Sequence, residues 1–97
     1  MLSFLPKNSQ DIMEELRTKF KERRKVMGYT QIECAERSGV SLGSLKRFEN
    51  SGQISLESLL KLALVLECLG DFDGVCEERV EEFESMDEVL NSKNMSI

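Results

Sequence analysis

Apolar positions along the first half of the chain recur at helical spacing. Between Ser9 and Met27 there is no Pro or Gly, and Ile12, Leu16 and Phe20 fall every fourth position, which places them on one face of a helix. Asp11, Glu14 and Glu15 load its first turns and Arg23, Arg24 and Lys25 its last, the order of charges that a helix dipole favours. Gly28 stops it. Thr30, followed three residues later by Glu33, is a capping-box pattern that predicts a short second helix with Ile32, Cys34 and Ala35 inward and Gly39 as its end. Ser41 caps a third helix to about Asn50, with Leu45 and Phe48 inward and Ser44, Lys46 and Arg47 outward.

The turn cluster Asn50-Ser51-Gly52-Gln53 precedes Ser55 and Ser58, which open a fourth helix from Leu56 to about Glu67. That helix is apolar nearly all round, so it is either central or shares a second interface. A short fifth helix is expected from Asp71, with Phe72 and Val75 closing the core. Beyond Val75 the apolar pattern thins into acidic sequence, Ser85-Met86-Asp87-Glu88 repeats a capping-box start, and the last seven residues carry little pattern. No strand-like alternation or internal repeat is visible, and the expected class is all-α.

Length and composition sharpen this picture. Ninety-seven residues with 40% apolar content fit one domain able to bury a core without staples. Histidine is absent, which removes Ser-His-Asp chemistry and Cys/His zinc sites. The three cysteines, Cys34, Cys68 and Cys76, form no CxxC pair and read as small apolar fillers in a reducing compartment. No metal or cofactor is implied. With no nucleophile and base pair, phosphate loop or metal cluster in view, an enzyme is not expected. The longest apolar runs fall far short of a membrane span and the start lacks a signal-peptide pattern, so the expected location is cytoplasmic. The net charge of −5 is unevenly placed: residues 1–66 carry 11 basic and 8 acidic side chains, and residues 67–97 carry 2 and 10. A mildly basic body with an acidic extension fits contact with nucleic acid and, separately, a solvated or partner-binding tail.

Two short helices joined at Gly39, between a long helix and an apolar one, are the ingredients of a helix-turn-helix. The run Thr30-Gln31, Ala35, Gly39-Val40-Ser41, Leu45 and Phe48-Glu49-Asn50 resembles the lambda-repressor-like (XRE/Cro) family of bacterial and phage regulators. The likeness spans about residues 14–75 and takes in Leu16, Arg24 and Gly28-Tyr29 before the motif and Leu56, Leu59, Leu62-Ala63 and Leu66 after it. It implies a compact five-helix DNA-binding domain over 10–75, preceded by an N-terminal arm, 1–9, and followed by an acidic tail, 76–97, with room for a short helix.

The resemblance further implies sequence-specific binding of double-stranded DNA by a transcriptional regulator, most naturally a repressor, with helix 41–50 in the major groove. Base-reading positions carried over to this chain are Leu42, Gly43, Ser44, Arg47 and Asn50. Arg47 can fork onto guanine O6/N7, Ser44 can take a base edge or a phosphate, and Leu42 either touches a thymine methyl or packs against Leu45. Gly43 either lets the backbone approach DNA or is simply tolerated on an exposed face. Phosphate contacts are expected from Gln31 and Ser41 at helix N-termini, with Arg24, Lys46, Ser51 and Gln53 flanking, although Ser41 would serve as a cap in any protein. In the family, the acid at Glu49 pairs with the arginine at Arg24, which here would tie the first helix to the third.

Paired half-sites call for a homodimer, and Leu66, Leu69, Phe72 and Val75 are the interface expected from the apolar excess near the fourth helix. The alternative is that the tail folds back over them. Phe72, Phe83 and Ser85 to Leu90 loosely resemble the tails of HipB-like antitoxins, small proteins that pair with HipA-type kinase toxins. That resemblance implies a second reading, in which residues 76–97 bind a toxin or other protein while the body autoregulates its operon.

Overall fold

A computed structural model describes residues 6–78. Four α-helices, α1 (Ser9–Val26), α2 (Gln31–Ser38), α3 (Leu42–Ser51) and α4 (Leu56–Val65), are followed by a single 3-10 turn, Leu69–Phe72. No strand occurs among the described residues. The segment from Arg79 onward, with the expected tail helix at Ser85, lies outside them, as do residues 1–5 of the arm.

Each helix begins where its sequence supplies an oxygen for free N–H groups. The Asn8 carboxamide accepts from the Asp11 N–H and the Asp11 carboxylate accepts in return from the Asn8 N–H, a reciprocal box that starts α1. Thr30 and Glu33 make the same exchange for α2, and the hydroxyls of Ser41 and Ser55 accept from Ser44 and Ser58 for α3 and α4. At the other end of α2, Gly39 has φ 79°, a left-handed conformation that costs a side-chain-bearing residue about 1–2 kcal/mol and lets the chain turn directly into α3.

α1 packs on α3, α2 contacts both α3 and α4, and the 3-10 turn rests on α4. Phe20, Cys34, Ala35, Val40, Leu45, Phe48, Leu59, Leu62, Ala63 and Leu66 form one buried cluster. At its centre the Phe20 and Phe48 rings meet edge to face, centroids 5.6 Å apart, a geometry worth about 0.5–1.5 kcal/mol beyond the area it buries. Ala35 is the small buried residue of α2 in this cluster.

Several expectations are corrected by this packing. Ile32, expected inward, is 57% exposed, because the inner face of so short a helix is filled by Cys34 and Ala35. Ile12 is also exposed, leaving Leu16 and Phe20 to anchor α1. α4 ends at Val65 rather than Glu67. Glu67 takes the left-handed conformation, φ 61°, and the Cys68 and Glu67 N–H groups close back onto the Ala63 and Leu64 carbonyls at 2.9 and 3.2 Å, a Schellman ending built without glycine. The fifth helix is only the 3-10 turn, starting two residues before Asp71; Phe72 packs against the core from it, but Val75 is 66% exposed and closes nothing.

Candidate nucleic-acid interface

The outward face of α3 follows from its inward one. Leu45, Phe48 and Glu49 are buried, so the opposite side of the helix carries Gly43, Arg47 and Asn50 at successive turns, flanked by Ser44 and Lys46, all exposed. Leu42, at the first helical position, is half-buried and packs against the core. Of its two expected roles the packing one is visible here. The Ser41 hydroxyl accepts from the Ser44 N–H at 3.1 Å and donates to the Ser44 hydroxyl at 2.9 Å, so it acts as a cap and holds Ser44 at the rim.

Beneath this face lies a buried ionic assembly. The Arg24 guanidinium, 7% exposed, donates from Nε to Glu49 Oε2 at 2.7 Å and from Nη2 to Glu49 Oε1 at 3.0 Å, and its Nη1 donates to the Tyr29 carbonyl at 2.9 Å. Hydrogen bonding to Glu49 raises the Arg24 pKa further above its already high value, against the opposing pull of burial. The Gln31 carboxamide donates to Glu49 Oε1 at 2.9 Å, and Arg17 Nη1 donates to the Glu49 backbone carbonyl at 2.8 Å. Arg24 and Glu49 together thus join four stretches of the chain: α1, the Tyr29 turn, the start of α2 and α3. No buried side-chain N or O atom lacks a partner among the described residues.

This arrangement corrects one expected phosphate contact. Arg24 has every nitrogen engaged inside the protein and is withdrawn from solvent, so it cannot also serve a phosphate on the surface. Gln31 is half-buried, its amide turned toward Glu49. Ser51 and Gln53 are bonded back to Arg47: the Ser51 hydroxyl donates to the Arg47 carbonyl at 2.7 Å, and Gln53 Oε1 accepts from Arg47 Nη2 at 3.3 Å. Ser44, Arg47 and Gln53 come together with Ile54, Ser55 and Ser58 around a cleft of about 260 Å³ between α3 and the start of α4. The hydroxyls of Ser55 and Ser58 were legible in the sequence only as a helix start; their place beside Arg47 depends on the turn at Gly52.

Gly43 is also informative. A Cβ built there meets nothing within 4 Å, so the fold has no internal need of glycine at this position. Among the described residues no group of three or more His, Cys, Asp or Glu could hold a metal ion, and no helix is long and apolar enough to cross a membrane.

The expected dimer contacts divide. Leu66 is 2% exposed within a single copy, filling the space between α4 and the rest of the core, so it cannot form an interface with a second one. Phe72 is half-buried, whereas Leu69 and Val75 are exposed.

A family model described as helix-turn-helix, HTH_3, matches residues 20–71, more than half of the chain and all of the motif just described. The chain belongs to the lambda-repressor-like (XRE) helix-turn-helix family. No curated protein and no solved structure matches it. The helix-turn-helix itself is α2, the Gly39 turn and α3, and the matched region makes it the domain of a DNA-binding transcription regulator. Sequence reasoning had not drawn in two bonds made by α1 side chains: Arg17 Nη1 donates to the Glu49 carbonyl on α3, and Arg23 Nη1 donates to the Leu66 carbonyl at 2.9 Å and so caps the end of α4. Arg23 was visible in the sequence only as a member of the basic run Arg23-Arg24-Lys25, and Arg17 only as one charge among the mixed charges of α1.

Proposed function

We propose that this helix-turn-helix protein reads a specific duplex DNA sequence and represses transcription from it, with α3 lying in the major groove. The observation that carries the proposal is the exposed row Gly43, Arg47 and Asn50, with Ser44 and Lys46 beside it, on a helix whose other side is locked into the core by Phe48 and the Arg24–Glu49 pair. A planar guanidinium matches guanine O6/N7 with two hydrogen bonds, and Asn50 and Ser44 add shorter polar arms. Lys46 and the N-terminal end of α3 at Ser41 supply phosphate attraction, with Gln31 at the start of α2. The protein acts as a homodimer on two half-sites about one helical turn apart, through the apolar surface that includes Leu69 and Val75.

The test is selection of the full chain against randomised duplexes, followed by quantitative binding to the enriched sequence and to scrambled DNA. A palindromic enriched site supports the proposal. Binding to all duplexes alike overturns it.

The uneven charge favours a second activity for the same chain. Residues 67–97 hold 10 of the 18 acidic side chains, an unfavourable composition for touching DNA and a suitable one for a basic protein surface. On this antitoxin-type reading, residues 76–97 capture a toxin while the domain autoregulates. A chain ending at Val75 then keeps its DNA affinity and loses the partner; a truncated chain that loses DNA binding contradicts it.

A further inference from the structure

The α3–α4 turn is fastened to Arg47 by a closed ring of hydrogen bonds. The Ser51 hydroxyl donates to the Arg47 carbonyl at 2.7 Å and accepts from the Gln53 N–H at 3.2 Å, and the Gln53 carboxamide oxygen accepts from the Arg47 guanidinium at 3.3 Å. A serine hydroxyl has one proton to give, and here it goes to the protein's own backbone. The Gln53 carboxamide turns its oxygen to the Arg47 guanidinium. Gly52 fixes the turn that makes this possible: it is buried, its φ is 82°, and a Cβ there would stand 3.1 Å from the Cβ and carbonyl oxygen of Met13 on α1.

We propose that Gln53 and Ser51 are positioning residues that hold Arg47 in the orientation in which it reads a base, rather than contacts to the DNA backbone. The inference rests on the reading of Arg47 as a base contact. An exposed arginine samples many rotamers, and a free one would lose that freedom on docking. The Gln53 oxygen takes one of five guanidinium N–H donors and leaves the others, including Nη1, for the two acceptors of a guanine edge. The Ser51 bond holds Gln53 at the correct height by anchoring its backbone to the last turn of α3. Specificity at one base pair is therefore set partly by two side chains that need not touch DNA at all.

Three variants of the full chain test this on the selected duplex, on duplexes altered one base pair at a time, and on scrambled DNA at the same salt. Gln53→Ala is expected to flatten the preference at the base pair read by Arg47, lowering affinity for the selected duplex about fivefold, the worth of one net hydrogen bond, with scrambled DNA bound as before. Gln53→Glu keeps the acceptor, so it keeps the preference while its added charge weakens binding to every duplex. Arg47→Ala removes the same preference outright. Equal loss on selected and scrambled DNA with Gln53→Ala makes Gln53 a phosphate contact and overturns the inference, as does no change on either. If Arg47→Ala leaves the preference intact, the base-reading role of Arg47 falls, and the inference falls with it. Gln53 is exposed, so an unchanged thermal unfolding curve is expected for both of its variants.

Discussion

Arg24 and Glu49 meet through two parallel hydrogen bonds, 2.7 and 3.0 Å, with the arginine 7% and the glutamate 3% exposed. The pair joins α1 to α3 across 25 residues of sequence, and the same carboxylate holds Gln31 at the start of α2. It therefore ties both helices of the helix-turn-helix to α1. Removing either partner strands the other charge in the core. Arg24→Ala or Glu49→Ala is expected to cost about 3–5 kcal/mol in urea unfolding, and the double substitution less than the sum of the two. Two additive losses of under 1 kcal/mol would mean solvated charges.

Gly39 and Gly52 share a left-handed backbone, φ 79° and 82°, yet differ in space: a Cβ meets nothing within 4 Å at Gly39, whereas at Gly52 it stands 3.1 Å from Met13. Gly39→Ala should cost about 1–2 kcal/mol, the conformational penalty alone. Gly52→Ala should cost more, because backbone atoms of α1 must move as well. Equal losses in chemical denaturation would show that the contact with Met13 relaxes freely.

Gly43 needs neither conformation nor space, so alanine there should stabilise the fold by up to about 1 kcal/mol through helix propensity. If α3 lies in the groove with its backbone close to DNA, the same substitution lowers affinity. Gly43→Ala with a higher melting temperature and weaker DNA binding is the expected combination; raised stability with unchanged binding assigns Gly43 to simple tolerance.

Burial pushes the Cys34 and Cys68 thiols above the ordinary thiol pKa. A thiol that keeps its proton longer in the folded state contributes stability in full below the unfolded-chain pKa, about 8.5, and loses it as pH climbs through the raised folded value. Stability should therefore fall on the alkaline side of about pH 8.5. Cys76 is exposed and Cys34 buried, so a thiol reagent should label Cys76 in the native protein and Cys34 only on unfolding. Rapid labelling of Cys34 at neutral pH would contradict the packing of α2.

Most of the helical frame was legible because its signals are local. Thr30 with Glu33, and Ser41 and Ser55 each before their helices, are caps readable from a few residues, and Gly39 marks its turn because only glycine adopts that backbone cheaply. The end of α4 was not legible, since Glu67 adopts the left-handed conformation that a glycine would have announced. Nor was the burial of Leu66, since on a helix apolar nearly all round periodicity cannot say which face meets the core; the exposure of Ile32 escaped because α2 is only eight residues long, and that of Val75 because it lies past the 3-10 turn, where helical periodicity no longer applies. At the interface, residue type pointed to Arg47 through α3's outward face, but Arg24 was assigned both a buried partner and a phosphate. Only geometry shows that each of its nitrogens is bonded within the protein and that the side chain is buried. Ser51 and Gln53 likewise read as flanking phosphate contacts, and their bonds to Arg47 appear only once the turn at Gly52 is formed.

Whether α3 reads bases is tested most directly by Arg47→Ala, measured by titration against the selected duplex and scrambled DNA at one salt concentration. The account predicts a loss of about 1–3 kcal/mol on the selected duplex, a relaxed preference at one base pair, and a much smaller loss on scrambled DNA. An equal loss on both would contradict it, reducing Arg47 to a contact with the phosphate backbone.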